Sequence, residues 1–160
     1  MKIIFLDCDG VLNSFNPANP TQWKELQILY SNDIERITHP IFKQHMDPLN
    51  RIIQETGAKL VITSTWRRHF RGIKALQIHL DKHGLKGKII GHTPHLINGI
   101  RGEEINLWLR SMPTITEKQY IILDDDSDFL PEQSSRFIKT KTDTGLTEEL
   151  ADQAISLLKG

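Results

Sequence analysis

The chain has 160 residues, and its 20 Lys and Arg balance its 20 Asp and Glu, so its formal net charge is zero. This length predicts one domain, residues 1–160, with a core large enough to fold without disulfides. Zero net charge argues against a protein that coats nucleic acid through bulk electrostatics. The single cysteine, Cys8, excludes an internal disulfide framework and favours a reducing compartment. The sequence has no secretory signal pattern and no apolar run near the about 18 residues that span a bilayer, so we expect a cytoplasmic protein.

The neutral total hides two segments of opposite charge. The basic segment, residues 64–88, has seven Lys and Arg against Asp81 alone, a net charge of +6. The acidic segment, residues 117–132, has six Asp and Glu against Lys118 alone, a net charge of −5. Charged segments are often only solvated surfaces, so their meaning depends on where the fold places them.

Apolar patterns predict alternating strands and helices. Short apolar runs typical of buried strands occur at residues 3–6, 60–62, 89–90, 120–123 and 137–138. Apolar residues at helical spacing are Trp23, Leu26, Leu29 and Tyr30; Leu49, Ile52 and Ile53; Ile73, Leu76 and Leu80; Ile105, Trp108 and Leu109; and Leu150, Ala154, Ile155 and Leu158. We expect the second helix to begin at Asp47-Pro48 and end at Gly57, and the last helix to be capped by Thr147.

This alternation predicts an α/β fold: a three-layer, Rossmann-like parallel sheet with helices on both faces. In such a sheet the carboxyl ends of the strands meet at one edge, and reactive sites lie beyond that edge. Three predicted strands end in small polar or acidic residues, namely Asp7-Cys8-Asp9-Gly10, Thr63-Ser64-Thr65 and Asp124-Asp125-Asp126. Two carboxylates about 4 Å apart repel by about 4 kcal/mol at an effective dielectric of 20, so the cluster needs a cation. Oxygen ligands of this kind favour Mg²⁺.

These segments carry a family resemblance. Residues 3–13, Ile-Ile-Phe-Leu-Asp-Cys-Asp-Gly-Val-Leu-Asn, resemble the first motif of the haloacid-dehalogenase-like (HAD) hydrolases. Residues 60–64 resemble the second motif, Arg101 stands where the third motif has its cation, and residues 121–125 resemble the fourth. A combination of short motifs is similar to the small HAD domain of Swiss Army Knife RNA-repair proteins. These motifs are Asp9-Gly10-Val11-Leu12-Asn13, Ser64-Thr65-Trp66-Arg67, Thr93-Pro94, Arg101-Gly102-Glu103-Glu104-Ile105, Leu123-Asp124-Asp125 and Gly145-Leu146-Thr147.

The resemblance implies a catalytic role for each matched residue. Asp7 is the expected nucleophile and forms an aspartyl-phosphate, and Asp9 is the expected general acid and base. Ser64 and Arg101 are expected to bind the phosphoryl oxygens. The expected ligands of Mg²⁺ are the carboxylates of Asp7, Asp124 and Asp125 and the backbone carbonyl of Asp9.

Several assignments have rivals in the sequence. Thr63 and Thr65 compete with Ser64 for the second-motif role and are otherwise expected substrate contacts, and Lys88 and Arg67 compete with Arg101. Trp66 and the bases after it form either a stacking and phosphate-binding platform or a packed tryptophan with solvated arginines. We expect Arg67 to contact substrate under either interpretation.

Other polar residues near these motifs are expected to be structural. Cys8 is expected in the core, because it alternates away from Asp7 and Asp9. Asp126 and Asp128 are expected to be solvated or helix-capping residues.

The predicted function is a Mg²⁺-dependent phosphomonoesterase. The residues between the first two motifs leave room for only a small insert at about residues 14–45, a minimal cap over the site. An open site suits a large phosphorylated substrate, such as a nucleic-acid end in a repair reaction. A mononucleotide phosphatase and a non-catalytic phosphate-binding regulatory module are the alternatives. The sequence does not indicate an oligomeric state.

Overall fold

The computed structural model describes residues 1–15 and 40–160. The strands in these ranges are β1 (Ile3–Leu6), β2 (Lys59–Ile62), β3 (Ile89–His92), β4 (Tyr120–Asp124) and β5 (Phe137–Lys139). The α-helices are α1 (Lys43–Thr56), α2 (Ile73–Lys82), α3 (Arg101–Ser111) and α4 (Glu148–Lys159). Short 3₁₀-helices span Thr65–Arg68, Glu117–Gln119 and Pro131–Arg136.

The five strands form one sheet in the order β3-β2-β1-β4-β5, and every pairing between them is parallel. Leu6 at the end of β1 pairs with Ile62 of β2 and with Leu123 of β4. The three central strands therefore end level with one another. This sheet, with helices on both faces, confirms the predicted α/β fold.

Side-chain alternation divides the core between the two faces of the sheet. On one face, Ile4 and Leu6 lie in a large buried cluster with side chains of α1, α2 and α4. On the other face, Ile3 and Phe5 pack in a smaller cluster with Ile105 of α3. The helices thus bury both faces of the sheet, which is why its strands read as continuous apolar runs.

The second helix predicted from the sequence corresponds to α1, and its predicted start is wrong by four residues. Helix α1 begins at Lys43 and not at Asp47, and Pro48 lies inside it. The carbonyl of Phe42 accepts hydrogen bonds from the N–H groups of His45 and Met46, and both side chains are buried. Asp47-Pro48 is typical of a helix start, but tertiary packing adds the four residues before it to the helix. Its predicted end at Gly57 is confirmed by the left-handed backbone there (φ 69°).

The other predictions for chain organisation have mixed outcomes. The Thr147 side chain accepts a hydrogen bond from the N–H of Leu150 at 3.3 Å, which confirms the predicted cap of α4. Cys8 is fully buried in the large cluster, as expected. The predicted helix around Trp23 and most of the insert at residues 14–45 lie outside the described residues. No helix in the described ranges is long and apolar enough to cross a membrane.

Candidate active site

The level strand ends bring three sequence-predicted residues to one edge of the sheet. Asp7, Thr63 and Asp124 each lie one position beyond the paired residues Leu6, Ile62 and Leu123. The N–H of Asp7 donates to the carbonyl of Leu123 at 3.0 Å, and the N–H of Thr63 donates to the carbonyl of Leu6 at 2.9 Å. Because alternate residues face opposite sides of a strand, all three side chains belong to the face covered by α3.

A group of three carboxylates forms the centre of this edge. Asp7, Asp124 and Asp125 each place one carboxylate oxygen within 4.8 Å of the others. Thr142 donates to Asp125 Oδ2 at 2.6 Å and fixes that side chain. Gly10 has a left-handed backbone (φ 73°), and a Cβ at this position would overlap the Asp125 carboxylate. Glycine at position 10 therefore lets the turn after β1 close over the end of β4.

Arg101 joins two of these carboxylates. Its Nη1 lies 2.8 Å from Asp7 Oδ1 and 2.6 Å from Asp124 Oδ2. Within the described residues, its remaining guanidinium nitrogens have no hydrogen-bond partner. The side chain is 17% exposed, so these nitrogens can reach an anion at the sheet edge.

The buried charges shift the pKa values of all three groups. Burial and the neighbouring Asp124 raise the pKa of Asp7 above its ordinary value, and Arg101 opposes this effect. Burial also raises the pKa of Asp124, while Arg101 and the N–H of Asp126 act in the opposite direction. Burial lowers the pKa of Arg101, but the two aspartates outweigh burial and raise that pKa above its ordinary value. The site therefore holds more negative charge than one arginine balances.

The donor set fits a hard divalent cation. All three clustered side chains offer carboxylate oxygens, and two of them are buried. Among residues 1–15 and 40–160, no sulfur or nitrogen ligand joins the cluster. Such a set matches the oxygen ligands that Mg²⁺ prefers. The sequence predicted this group of carboxylates, and the register of the strands explains why they meet.

Asp9 is held by two donors. Asn13 Nδ2 donates to Asp9 Oδ1 at 2.9 Å, and the indole Nε1 of Trp66 donates to Asp9 Oδ2 at 2.9 Å. Trp66 is only 1% exposed, so its ring has no open face on which a base can stack. This placement agrees with the packed alternative for Trp66 and gives its indole a contact that the sequence did not indicate.

The candidates for the second-motif residue face different surroundings. The Ser64 hydroxyl accepts a hydrogen bond from the backbone N–H of Trp66 at 3.3 Å. The Thr63 hydroxyl is fully buried and has no partner among the described residues. Thr65 begins the 3₁₀-helix and is exposed. The strand register places Thr63 level with Asp7 and on the same face of the sheet as the carboxylates.

Arg67 lies in a buried ion pair. Its Nη2 lies 2.7 Å from Glu104 Oε2, and both side chains are 6% exposed. Its Nη1 also donates to the carbonyls of Thr63 and Ser64. Burial lowers the pKa of Arg67, and Glu104 opposes this shift. The sequence analysis did not identify Glu104 as a partner of Arg67. An acid beside the apolar Ile105 in a predicted helix face could have indicated a buried carboxylate that needs a cation.

The N-terminus of α3 is occupied by a residue of the acidic segment. Asp128 Oδ2 accepts a hydrogen bond from the N–H of Arg101 at 3.0 Å, and the carbonyl of Asp128 accepts one from Gly102 at 3.0 Å. A Cβ at Gly102 would overlap the backbone of Leu130, so this approach requires glycine. Of the two roles expected for Asp128, solvated or helix-capping, the structure shows capping, and its carboxylate occupies the N-terminus of α3. Lys88 precedes β3 and so lies at the opposite edge of the sheet from Asp7.

The parallel sheet, its acidic strand ends and the paired arginine define a HAD-type hydrolase core. A family model described as the HAD domain in Swiss Army Knife RNA repair proteins matches residues 3–151. The chain belongs to this family. No curated protein and no solved structure matches the chain.

Proposed function

We propose that the protein is a Mg²⁺-dependent phosphomonoesterase that removes terminal phosphates from nucleic acid. The observation that carries the proposal is the meeting of Asp7, Asp124 and Asp125 within 4.8 Å, with Arg101 bound to Asp7. Membership of the HAD family supports a phosphatase-type hydrolase. A non-catalytic phosphate-binding module would not require a nucleophile, an acid and a cation at one edge, so we favour the enzyme.

The chemistry has two steps. An oxygen of Asp7 attacks phosphorus, the bond from phosphorus to the substrate oxygen breaks, and Asp9 gives its proton to that oxygen. Asp9 then takes a proton from water as the water oxygen attacks the aspartyl-phosphate. This second step releases inorganic phosphate and restores Asp7. The Arg101 guanidinium nitrogens other than the Nη1 that pairs with Asp7 and Asp124 donate to the phosphoryl oxygens, where negative charge develops.

Asp7, Asp124 and Asp125 would hold Mg²⁺, as the spacing of their oxygens supports. When bound, the ion reduces the repulsion between the Asp7 carboxylate and the phosphate. The backbone carbonyl of Asp9 stays a predicted fourth ligand.

We assign the phosphoryl-binding hydroxyl to Thr63 in preference to Ser64. Support comes from its buried, unpartnered hydroxyl and from its position level with Asp7 on the same face of the sheet. A buried hydroxyl without a partner costs about 1–3 kcal/mol, and a bound phosphoryl oxygen would remove that cost. The contact between Arg67 and substrate stays a prediction. In the structure the Arg67 guanidinium is paired with Glu104.

The basic segment supports a polyanionic substrate. Arg68, Arg71 and Lys74 are exposed. Arg68 ends the 3₁₀-helix that begins at the carboxyl edge of the sheet, Arg71 follows that helix, and Lys74 lies in the first turn of α2. A row of exposed cations beside a phosphate-binding edge is suited to the backbone of a nucleic acid. The single cysteine keeps the cytoplasm as the predicted location.

The experiment measures phosphate release from an aryl phosphate with and without Mg²⁺. We expect metal-dependent turnover in the wild type, no turnover above background in Asp7→Asn, and full turnover in Asp47→Asn, an exposed control on α1. A wild type no faster than Asp7→Asn would refute the enzyme proposal. The second arm compares an oligonucleotide carrying a terminal 3′-phosphate with the matching mononucleotide. A preference for the mononucleotide would support the alternative function of a mononucleotide phosphatase.

A further inference from the structure

We propose that Trp66 is a positioning residue that orients the carboxyl group of Asp9 for proton transfer. This inference rests on the proposed phosphatase function. It concerns a contact between the 3₁₀-helix after β2 and the turn after β1, at a residue whose ring is packed away from solvent.

The carboxyl group of Asp9 is fixed from two directions. The indole Nε1 of Trp66 lies 2.9 Å from Oδ2, and Asn13 Nδ2 lies 2.9 Å from Oδ1. Asn13 is itself fully buried and accepts a hydrogen bond from the N–H of Gly10 at 2.9 Å, which sets the direction of its amide. One donor on each oxygen restricts rotation of the carboxyl group about its Cβ–Cγ bond.

The Trp66 indole and the Asn13 amide can orient Asp9 without taking its proton. An indole nitrogen donates only, and the Asn13 amide presents its NH₂ group to Asp9. Neither group can accept the proton that Asp9 carries as a general acid.

The Trp66 ring is itself rigidly placed. Its ring centroid lies 5.8 Å from that of His79 in an edge-to-face contact and 6.4 Å from that of Phe70. The backbone N–H of Trp66 also donates to the Ser64 hydroxyl. Packing of this kind prevents the indole from turning away, so the hydrogen bond to Asp9 is held before substrate binds.

The distinguishing experiment is the leaving-group dependence of Trp66→Phe, which keeps most of the packing and removes the N–H. We compare kcat/KM for an alkyl phosphate, whose leaving oxygen needs a proton, with kcat/KM for an activated dinitrophenyl phosphate, which needs none. We expect about a tenfold or larger loss on the alkyl phosphate, since general acid catalysis contributes about 10²–10⁴-fold. On the activated substrate we expect a change within about twofold. Phe70→Leu, which disturbs the same ring contact without touching Asp9, is expected to change both substrates alike.

The outcomes separate this inference from the proposed function. A wild type that hydrolyses neither phosphate defeats the proposed function and the inference with it. An active wild type with equal losses on both substrates in Trp66→Phe overturns only the positioning role. If Trp66→Phe does not fold, the indole ¹H–¹⁵N resonances of an Asp9→Ala variant give the answer. We expect the Trp66 resonance to shift and the Trp108 resonance to stay, and an unmoved Trp66 resonance overturns the proposal.

Discussion

The acidic and basic segments have nearly equal and opposite charge, yet the fold divides them differently. Of the six acids in residues 117–132, only Asp124 and Asp125 enter the carboxylate group, and Asp128 caps α3. Of the seven bases in residues 64–88, Arg67 is buried against Glu104 and the others are exposed. The net charge of a segment therefore does not show which of its side chains belong to the candidate active site.

The difference follows from the position of each segment relative to a strand end. The acidic segment contains β4, so Asp124 and Asp125 stand at its carboxyl end, beside Asp7. The basic segment starts after β2 and runs through α2, which leads back toward the start of β3. Helix α2 has 10 residues, so it spans about 15 Å and carries its later charges away from the site.

The sharpest test of this contrast is a pair of neighbours in the acidic segment. We expect Asp124→Asn to lower kcat/KM on an aryl phosphate by about a thousandfold, because it removes a carboxylate of the Mg²⁺ group that also pairs with Arg101. Asp126→Asn removes the same charge two residues later from an exposed side chain, and we expect a change within about twofold. A calorimetric Mg²⁺ titration of each variant checks the cause.

Equal losses in the two variants would contradict the contrast. They would mean that the acidic segment acts as a diffuse field and that the short distances around Asp124 have no special effect.

A smaller effect is expected for a pair of neighbours in the basic segment. We expect Arg67→Met to lower the free energy of unfolding by about 3 kcal/mol, because it leaves Glu104 buried without its cation. Arg68→Met removes an exposed charge and is expected to change it by less than about 0.5 kcal/mol. Urea unfolding measures both. Equal stability of the two variants would show that the buried pair contributes nothing beyond a surface charge.

The residues that the strand pattern by itself predicted are those that directly follow an apolar strand, whereas Arg101 was found through the family resemblance. Asp7 and Asp124 were predictable because an apolar run fixes where each strand ends, and parallel strands end at one edge. Two contacts depend on how elements far apart in the sequence pack together, which no local pattern encodes. They are the hydrogen bond from Trp66 to Asp9 and the ion pair of Arg67 with Glu104. Alternation along β2 separates Thr63 from Ser64, but the sequence does not state which face of the sheet carries Asp7.

The smallest effect concerns the exposed bases, and it tests whether their place along the basic segment matters. We expect the triple variant Arg68→Gln, Arg71→Gln and Lys74→Gln to lower kcat/KM several-fold on a phosphorylated oligonucleotide and to leave the aryl phosphate rate unchanged. The slope of log kcat/KM against log salt concentration is expected to become shallower by about 2, since each single-strand phosphate that a base neutralises contributes roughly 0.7 to that slope.

The matched control is a second triple variant of the same segment, Lys82→Gln, Lys86→Gln and Lys88→Gln. It removes the same charge from the end of α2 and the residues that lead to β3, at the edge of the sheet opposite Asp7. Charges beyond a Debye length of about 8 Å at physiological salt are largely screened, so this variant is expected to leave the salt slope unchanged. If both triple variants changed the slope equally, the nucleic acid would be attracted by the net charge of the segment, and proximity to the site would have no part in binding.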